Sequence, residues 1–357
     1  MIELVSVFSV LILGLDLVNT QLILDPCQVT DFDDIQQAVS NCQKIILKDV
    51  VIPEKTSLEM RLLTGTELIF EGNITHVPAE WAGDLLRIYG SNLTISGAPG
   101  HVFDGLGAKH WKGKNETVVM RPKLLRFKVS DSTIKNLHLL NCPDQCIHIS
   151  SSSNVHVSDI FIDVRDGYQG VAPTDHFATN TDGIDVSGSD RIFVQDIVVY
   201  NQDDCVAING GHDLYFRNFF CNGSHGLSLS VSGGEVYNIE FKDSIVQKAR
   251  FAIHVKTHNE GTEGHIYNVF YKNITFSDVF KAGISIQQNY PQGDVRGNVP
   301  ITNLTLVDVQ GSVLAETVPI SVLCAEDACS DWSWTNVRVT GTDFSNECLN
   351  VPDGIDC

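Results

Sequence analysis

The sequence predicts an all-β protein: a single-domain right-handed parallel β-helix (a solenoid) with a short N-terminal capping helix. Three observations lead to this class. Short apolar runs recur along the middle and end of the chain, at an interval of about 22 residues where the repeat is tightest. Polar turns separate the runs, and Gly alone accounts for 28 of the 357 residues. A long amphipathic helical pattern is missing from the repeats, which counts against a doubly wound α/β fold. With 43% hydrophobic and 19% charged residues, the chain is globular rather than disordered.

Residues 1–20 stand apart. The apolar run Val7–Leu13 is too short to span a bilayer and has the length of the apolar part of a secretory signal peptide. Its end is placed near Asn19 or Thr20, although Glu3 stands where such peptides usually carry Lys or Arg. The alternative is a buried N-terminal strand. Residues 21–357 then form one domain, with no linker visible.

Asp31–Ser40 reads as a short helix, with Phe32, Ile35, Ala38 and Val39 on one face and Asp residues at its start. A helix there can cover the open end of a solenoid, where strand edges would otherwise be exposed. The repeats follow. Ser132–Leu140, Asn154–Ile162, Asp190–Val199, His212–Phe220, Glu235–Phe241, His265–Tyr271 and Ile301–Leu306 are apolar runs. Most are followed by a turn and a second short strand, as at Ala178–Val186, Cys205–Asn209, Gly226–Leu229, Ala252–Val255 and Gly283–Ile286. Strands this short cannot bury their own apolar faces, so successive turns must stack into one core.

Ten cysteines follow the leader, and an even number in a secreted chain reads as disulfides. Six N-x-Ser/Thr sequons, at Asn73, Asn92, Asn115, Asn222, Asn273 and Asn303, agree with a secretory route. A net charge of −20 argues against nucleic acid as a partner, because phosphate binding needs Lys and Arg patches. No membrane partner is expected of the mature chain either, and a monomer is expected.

Acidic residues recur in register within the tightest repeats. Asp182 and Asp203 are 21 residues apart, as are Asp204 and His225. Adjacent parallel strands lie about 4.8 Å apart, so three carboxylates and an imidazole would converge within roughly 5–10 Å. Such a set suits glycoside hydrolysis, in which one carboxylic acid protonates the leaving oxygen and another carboxylate activates water. Crowding of like charges raises the pKa of one member and keeps a proton available. Taken singly, Asn180-Thr-Asp-Gly183 is a turn and Asp203-Asp204 a surface pair. Clustered Asp residues also suit calcium.

At this point the chain resembles a known family. Asn180-Thr-Asp-Gly183, Gln202-Asp-Asp-Cys205, Ser224-His-Gly-Leu-Ser228 and Val255-Lys-Thr257 are similar to the signature blocks of polygalacturonases, family 28 of the glycoside hydrolases. They stand in the family's order, and the resemblance runs from about Cys27 to Cys357. It implies a secreted, extracellular enzyme that hydrolyses α-1,4-galacturonosyl linkages of pectin with inversion and without a metal or other cofactor. It implies catalytic roles for Asp203 as general acid, for Asp182 and Asp204 as the pair activating water, and for His225 in tuning the acid. Asn180, His254, Lys256 and Tyr290 fall at substrate-binding positions. Endo action is expected, since no inserted domain is seen to block one end of a groove. The family pattern also implies disulfides Cys27–Cys42, Cys205–Cys221, Cys324–Cys329 and Cys348–Cys357.

Departures from the pattern bear on substrate. His254 stands where the family carries Arg, so a permanent bidentate clamp is replaced by a group that is charged only at acidic pH. Binding of polygalacturonate is therefore expected to be weakened, and less so at low pH. Nothing in the sequence shows whether nearby Arg250 reaches the cleft. Ser224 replaces Gly, and the Asn222 sequon falls beside the presumed cleft. Pectin is itself a polyanion, so this acidic chain must carry a locally positive groove or work at acidic pH. Cys142 and Cys146 would be about 13 Å apart in a straight strand, too far to bridge unless Pro143 bends the chain. Zinc ligand spacing is not seen. A diverged pectin-binding protein, a calcium-dependent eliminating enzyme and a hydrolase of a related pectic polymer remain as alternatives.

Overall fold

A computed structural model describes residues 27–112, 120–173 and 176–357. The apolar leader expected at 1–20 and the Asn115 sequon lie outside the described residues. Among the described residues no helix is long and apolar enough to cross a membrane.

The chain winds into a right-handed parallel β-helix, the hand that parallel strand–crossover–strand connections take. Seven stacked strands form the face that carries the site: β1 (Ile147–Ser150), β2 (Ile184–Ser187), β3 (Val206–Ile208), β4 (Leu227–Val231), β5 (Phe251–His258), β6 (Ala282–Tyr290) and β7 (Val318–Leu323). Ile147, Ile184, Val206, Leu227, Ile253, Ile284 and Ile320 stand in one vertical column. Ile149, Val186, Ile208, Leu229, Val255, Ile286 and Val322 make a second column two residues further on. Both columns are buried. Side chains alternate across a strand. The column between them (His148, Asp185, Ala207, Ser228, His254, Ser285, Ser321) therefore lies on the other face of the sheet, as the floor of a cleft.

The strands on the remaining faces are longer than the sequence suggests. Asp190–Val199 extends to Ser189–Tyr200, and His265–Tyr271 to Gly264–Val279. Pairing continues around the corners because Asn and Asp residues there adopt the left-handed conformation that few other residues tolerate. Asp213, Asn238, Asn268 and Asn303 form one such column, with φ between 51° and 55°. Asn238 Nδ2 donates to Asp213 Oδ1 at 2.8 Å, so the corner side chains also bond from coil to coil. The Asn273 and Asn303 sequons belong to these corners, and Asn273 Nδ2 donates to Asp243 Oδ1 at 2.8 Å.

The N-terminal end is covered as expected. Phe32–Asp34 is a 3₁₀ turn leading into an α-helix at Ile35–Asn41, with Ile35, Ala38 and Val39 buried. Asp31 caps it, its side chain accepting from Asp33 N at 3.0 Å. The Cys27–Cys42 disulfide ties the end of this helix to the strand Cys27–Val29. Cys205–Cys221, Cys324–Cys329 and Cys348–Cys357 are likewise formed. The pairing of Cys142 with Cys146 is settled too: the chain turns at Pro143, their Cα atoms are 5.4 Å apart, and a fifth disulfide closes.

Since the cleft floor is held by the two buried columns beneath it, Leu229→Ala in the central coil should cost about 2–5 kcal/mol. A lowered urea midpoint with unchanged slope is the expected reading. An unchanged midpoint would show that the columns do not hold the sheet.

Candidate active site

The sequence-predicted acids are gathered by the turns that lead into successive strands of this sheet. Asp182 precedes β2, Asp203 and Asp204 precede β3, His225 precedes β4, and Arg250 precedes β5. Backbone bonds hold these turns in stack: Gly183 N donates to Asp204 O at 2.9 Å, His225 N to Asp203 O at 2.7 Å, and Arg250 N to Ser224 O at 2.7 Å. Two glycines allow the close approach. A Cβ on Gly183 would sit 2.6 Å from Cys205 O, and one on Gly226, at φ +95°, would sit 2.5 Å from Phe251 O. Ser224 replaces glycine without strain; its Oγ accepts from Gly226 N at 3.1 Å.

Neighbouring amides pin the acidic turns. Asn201 Nδ2 reaches the carbonyls of Thr181, Asp203 and Asp204 at 2.9, 3.0 and 2.9 Å. Thr181 Oγ1 donates to Gln202 Oε1 at 2.9 Å, and Gln202 Nε2 donates to Val164 O at 2.7 Å. The side chains then pair off. Asp203 Oδ1 meets His225 Nδ1 at 3.0 Å. Asp204 Oδ1 accepts from Ser228 Oγ at 2.7 Å, and its Oδ2 accepts from Lys256 Nζ at 2.8 Å. Asp182 is buried beside them, with no cation of its own at bonding distance among the described residues.

Burial first, then the charges of Asp203, Asp185 and Asp204, raise the Asp182 carboxyl well above the usual aspartate range. Burial also lifts Asp203, but the hydrogen bond and charge of His225 outweigh it and hold that carboxyl below its ordinary value. Crowding therefore raises a different member of the set from the one the family pattern marks as acid. Burial lifts Asp204 while Lys256 opposes it. Burial lowers the Lys256 ammonium, yet the charge and bond of Asp204 prevail and its pKa rises, so Lys256 stays charged.

His254 departs from its expectation. Only 3% of the residue is exposed, and its ring stacks on Phe251 with centroids 4.0 Å apart. Neither ring nitrogen makes a well-formed hydrogen bond with the described residues. Burial, then the nearby Lys256 charge, push its pKa well below that of free histidine. His254 therefore stays neutral and does not supply the missing charge at moderately acidic pH. Lys256 is spoken for by Asp204. Tyr290 closes over it, 4.9 Å from Lys256 Nζ to the ring centroid, where a slip in register between β5 and β6 sets Tyr290 opposite His258. Asn180 lines the cleft wall with φ +55°.

Asn180, Asp182, Asp203, Asp204, His225, His254, Lys256 and Tyr290 line one cleft of about 710 Å³ that runs along the coils from Lys123 and Gln145 to Ser321 and Glu347. Arg250 and Lys281 line it as well. Asn222 lies instead on the wall of an adjoining hollow with Tyr168 and Phe280, so its sequon is outside the main cleft. Ligand atoms of Asp203, Asp204 and His225 lie within 4.8 Å of one another. They suit calcium poorly: the Lys256 ammonium already occupies Asp204, and calcium takes six to eight oxygens.

Sequence reasoning passed over Asp185, which is buried, shares the cleft and also has a raised pKa, chiefly from burial. Gln145 Nε2 donates to its Oδ1 at 3.1 Å, and its Oδ2 has no partner among the described residues. The signal was present: Asp185 alternates with buried Ile184 and Val186 and so must face the cleft. Ser228, between Leu227 and Leu229, was findable in the same way.

The family model described as glycosyl hydrolases family 28 matches residues 42–357. Endopolygalacturonase I of Aspergillus aculeatus is 38% identical over 329 residues, covering 89% of this chain and 85% of that protein. A polygalacturonase of the beetle Phaedon cochleariae is 35% identical over 346 residues, covering 93% of each. The structure of endopolygalacturonase I from Stereum purpureum, complexed with two galacturonates, superposes with a TM-score of 0.81 at 27% identity, covering 92% of this chain and 98% of that one. With the acidic turns, the lysine and the tyrosine assembled on one cleft of a right-handed β-helix, the chain belongs to family 28 of the glycosyl hydrolases and is an enzyme of the polygalacturonase family.

Proposed function

We propose that this enzyme hydrolyses α-1,4-galacturonosyl linkages in pectic polygalacturonate by an inverting acid–base mechanism that needs no metal. The observation that carries the reading is the Asp203–His225 pair at 3.0 Å, opening on the same cleft as Asp182 and Asp204. That pair holds one proton between carboxylate and imidazole. Asp203 passes it to the glycosidic oxygen as the C–O bond breaks. Asp182 and Asp204 hold a water on the opposite face of the sugar. Its oxygen bonds to the anomeric carbon, and its proton goes to Asp182, whose raised pKa makes it the better acceptor. Lys256 keeps Asp204 ionised and, with Tyr290 and Asn180, lines the sugar site.

Endo action is supported by the cleft, whose walls continue along the coils on both sides of Asp203. Two of the similar proteins, from Aspergillus aculeatus and Stereum purpureum, are endopolygalacturonases, which agrees with it. We assign residues 1–20 to a secretory leader and 21–357 to one catalytic domain, working outside the cell as a monomer. A neutral His254 favours a second reading, a pectin-binding protein with little turnover.

Release of reducing ends from polygalacturonate separates the two readings. Asp203→Asn should lower kcat about 10²–10⁴-fold with the fold intact. A wild type that binds the polymer yet releases no more than this variant would establish the binding reading. Activity unaffected by a calcium chelator, with no unsaturated product, is expected as well.

Asp182 must be ionised to accept a proton, so its raised pKa places the acidic limb of the kcat/KM profile above the ordinary aspartate range. Asp185→Asn removes one of the charges that raise it and should move that limb to lower pH. A limb that stays in place would exclude Asp182 as the base.

The same shift has a cost in stability. A carboxyl whose pKa is higher folded than unfolded destabilises the fold once pH exceeds the unfolded value near 3.9, and fully so above the folded one. Asp182→Asn should therefore raise Tm at pH 7 and leave it nearly unchanged at pH 3, while abolishing turnover. Each kcal/mol recovered would appear as about 2–4 °C. An equal change at both pH values would refute the assignment.

A further inference from the structure

The geometry points to Arg250 and Lys281 as a carboxylate-binding site for the uronate units next to the bond that is cut. This rests on the polygalacturonate reading above and names the residues that recognise the polymer's charge. The two side chains continue the ridge that bears the acid. Arg250 N donates to Ser224 O at 2.7 Å, and Lys281 N donates to Arg250 O at 3.1 Å. Arg250 thus stands one coil beyond His225 and Lys281 two, at about 4.8 Å per coil. Both line the main cleft and the adjoining hollow, the two spaces that Asp203 and His225 also share.

Their availability sets them apart from Lys256, Arg126 and Arg121. Lys256 is bonded to Asp204 at 2.8 Å, Arg126 to Asp84 at 2.9 Å, and Arg121 faces Asp144 at 3.8 Å. Arg250 and Lys281 are exposed, and neither has a carboxylate within ion-pair distance among the described residues. Arg250 is held without being neutralised: its guanidinium carbon lies 5.7 Å from the Phe251 ring centroid, and Phe251 in turn stacks on His254. The stack that carries no charge at position 254 therefore bears one at its outer end. A guanidinium matches a carboxylate with two parallel bonds, and an ammonium one coil away offers a second point of attachment. In a chain of net charge −20, a polyanion needs such unpaired cations at the acid's side.

The test uses tetragalacturonate and calorimetric binding in an Asp203→Asn background, so that turnover does not intrude. Arg250→Gln should raise Kd about tenfold or more, and adding Lys281→Gln should raise it further. The double variant should also flatten the dependence of log Kd on log salt. Lys248→Gln removes the same charge from the hollow alone and should leave Kd as it was. Unchanged Kd and salt slope in the double variant, with circular dichroism as for the parent, would overturn the inference. Failure of the substrate reading would look different: no reducing ends released from polygalacturonate by the wild type, whatever the binding variants do.

Discussion

The site depends on one constraint, the parallel register between coils. No two of Asp182, Asp203, His225 and Lys256 lie on the same turn of the helix. Their proximity comes from backbone bonds such as Gly183 N to Asp204 O and His225 N to Asp203 O, which fix each turn over the next. Because side chains alternate, a slip of one residue in any coil would move a floor residue such as Ser228 into the core and Leu229 into the cleft. The inward columns of Ile, Leu and Val make that slip costly. Asn201 and Gln202 then tie the acidic turns to their neighbours, and Gly226 permits the next coil to come close.

On that frame sits an electrostatic conflict which the fold only partly relieves. Four aspartates are drawn together and largely hidden from water. Two are matched, Asp204 by Lys256 and Asp203 by His225. Among the described residues Asp182 and Asp185 have no cation at bonding distance, and burial raises the proton affinity of both, opposed only in part by the charge of Lys123 at Asp185 and of Lys256 at Asp182. A cluster in which some acids are kept ionised and others kept ready to hold a proton is what general acid–base chemistry requires. Strain of this kind is retained at functional sites because the surrounding solenoid is stable enough to hold it.

Much of this was legible in the sequence, and the reasons are physical. The solenoid shows through because stacking demands a repeat, and the acids show because they obey it, 21 residues apart across successive coils. The N-terminal coils were hidden by drift: Ile45 pairs with Leu68, Leu68 with Ile95 and Ile95 with Ile134, intervals that lengthen as loops intrude. The spread of the longer strands was hidden because corners made by left-handed Asn and Asp look like strand ends in one dimension. Asp185 could have been found from alternation alone. The state of His254 could not, since it depends on Phe251 lying against its ring, a contact that periodicity does not encode. Histidine read as a residue type suggests a cation; histidine packed against an aromatic and beside Lys256 is not one.

The overall charge misleads in a similar way. A net −20 suggests repulsion of a polyanion. Charges farther from the cleft than the Debye length, about 8 Å at physiological ionic strength, are largely screened. Asp33 and Asp34 in the N-terminal cap lie many coils from Asp203, each coil adding about 4.8 Å. What an approaching carboxylate meets is the local set. There Asp204 is bonded to an ammonium and Asp203 to an imidazole, and the raised pKa values of Asp182 and Asp185 lessen the charge these two carry as pH falls. Set against them are Arg250, Lys281 and Lys123 on the walls. The acids that would repel the substrate are thus the ones already paired or ready to be neutral. An acidic protein can in this way present a cleft that accepts an acidic polymer.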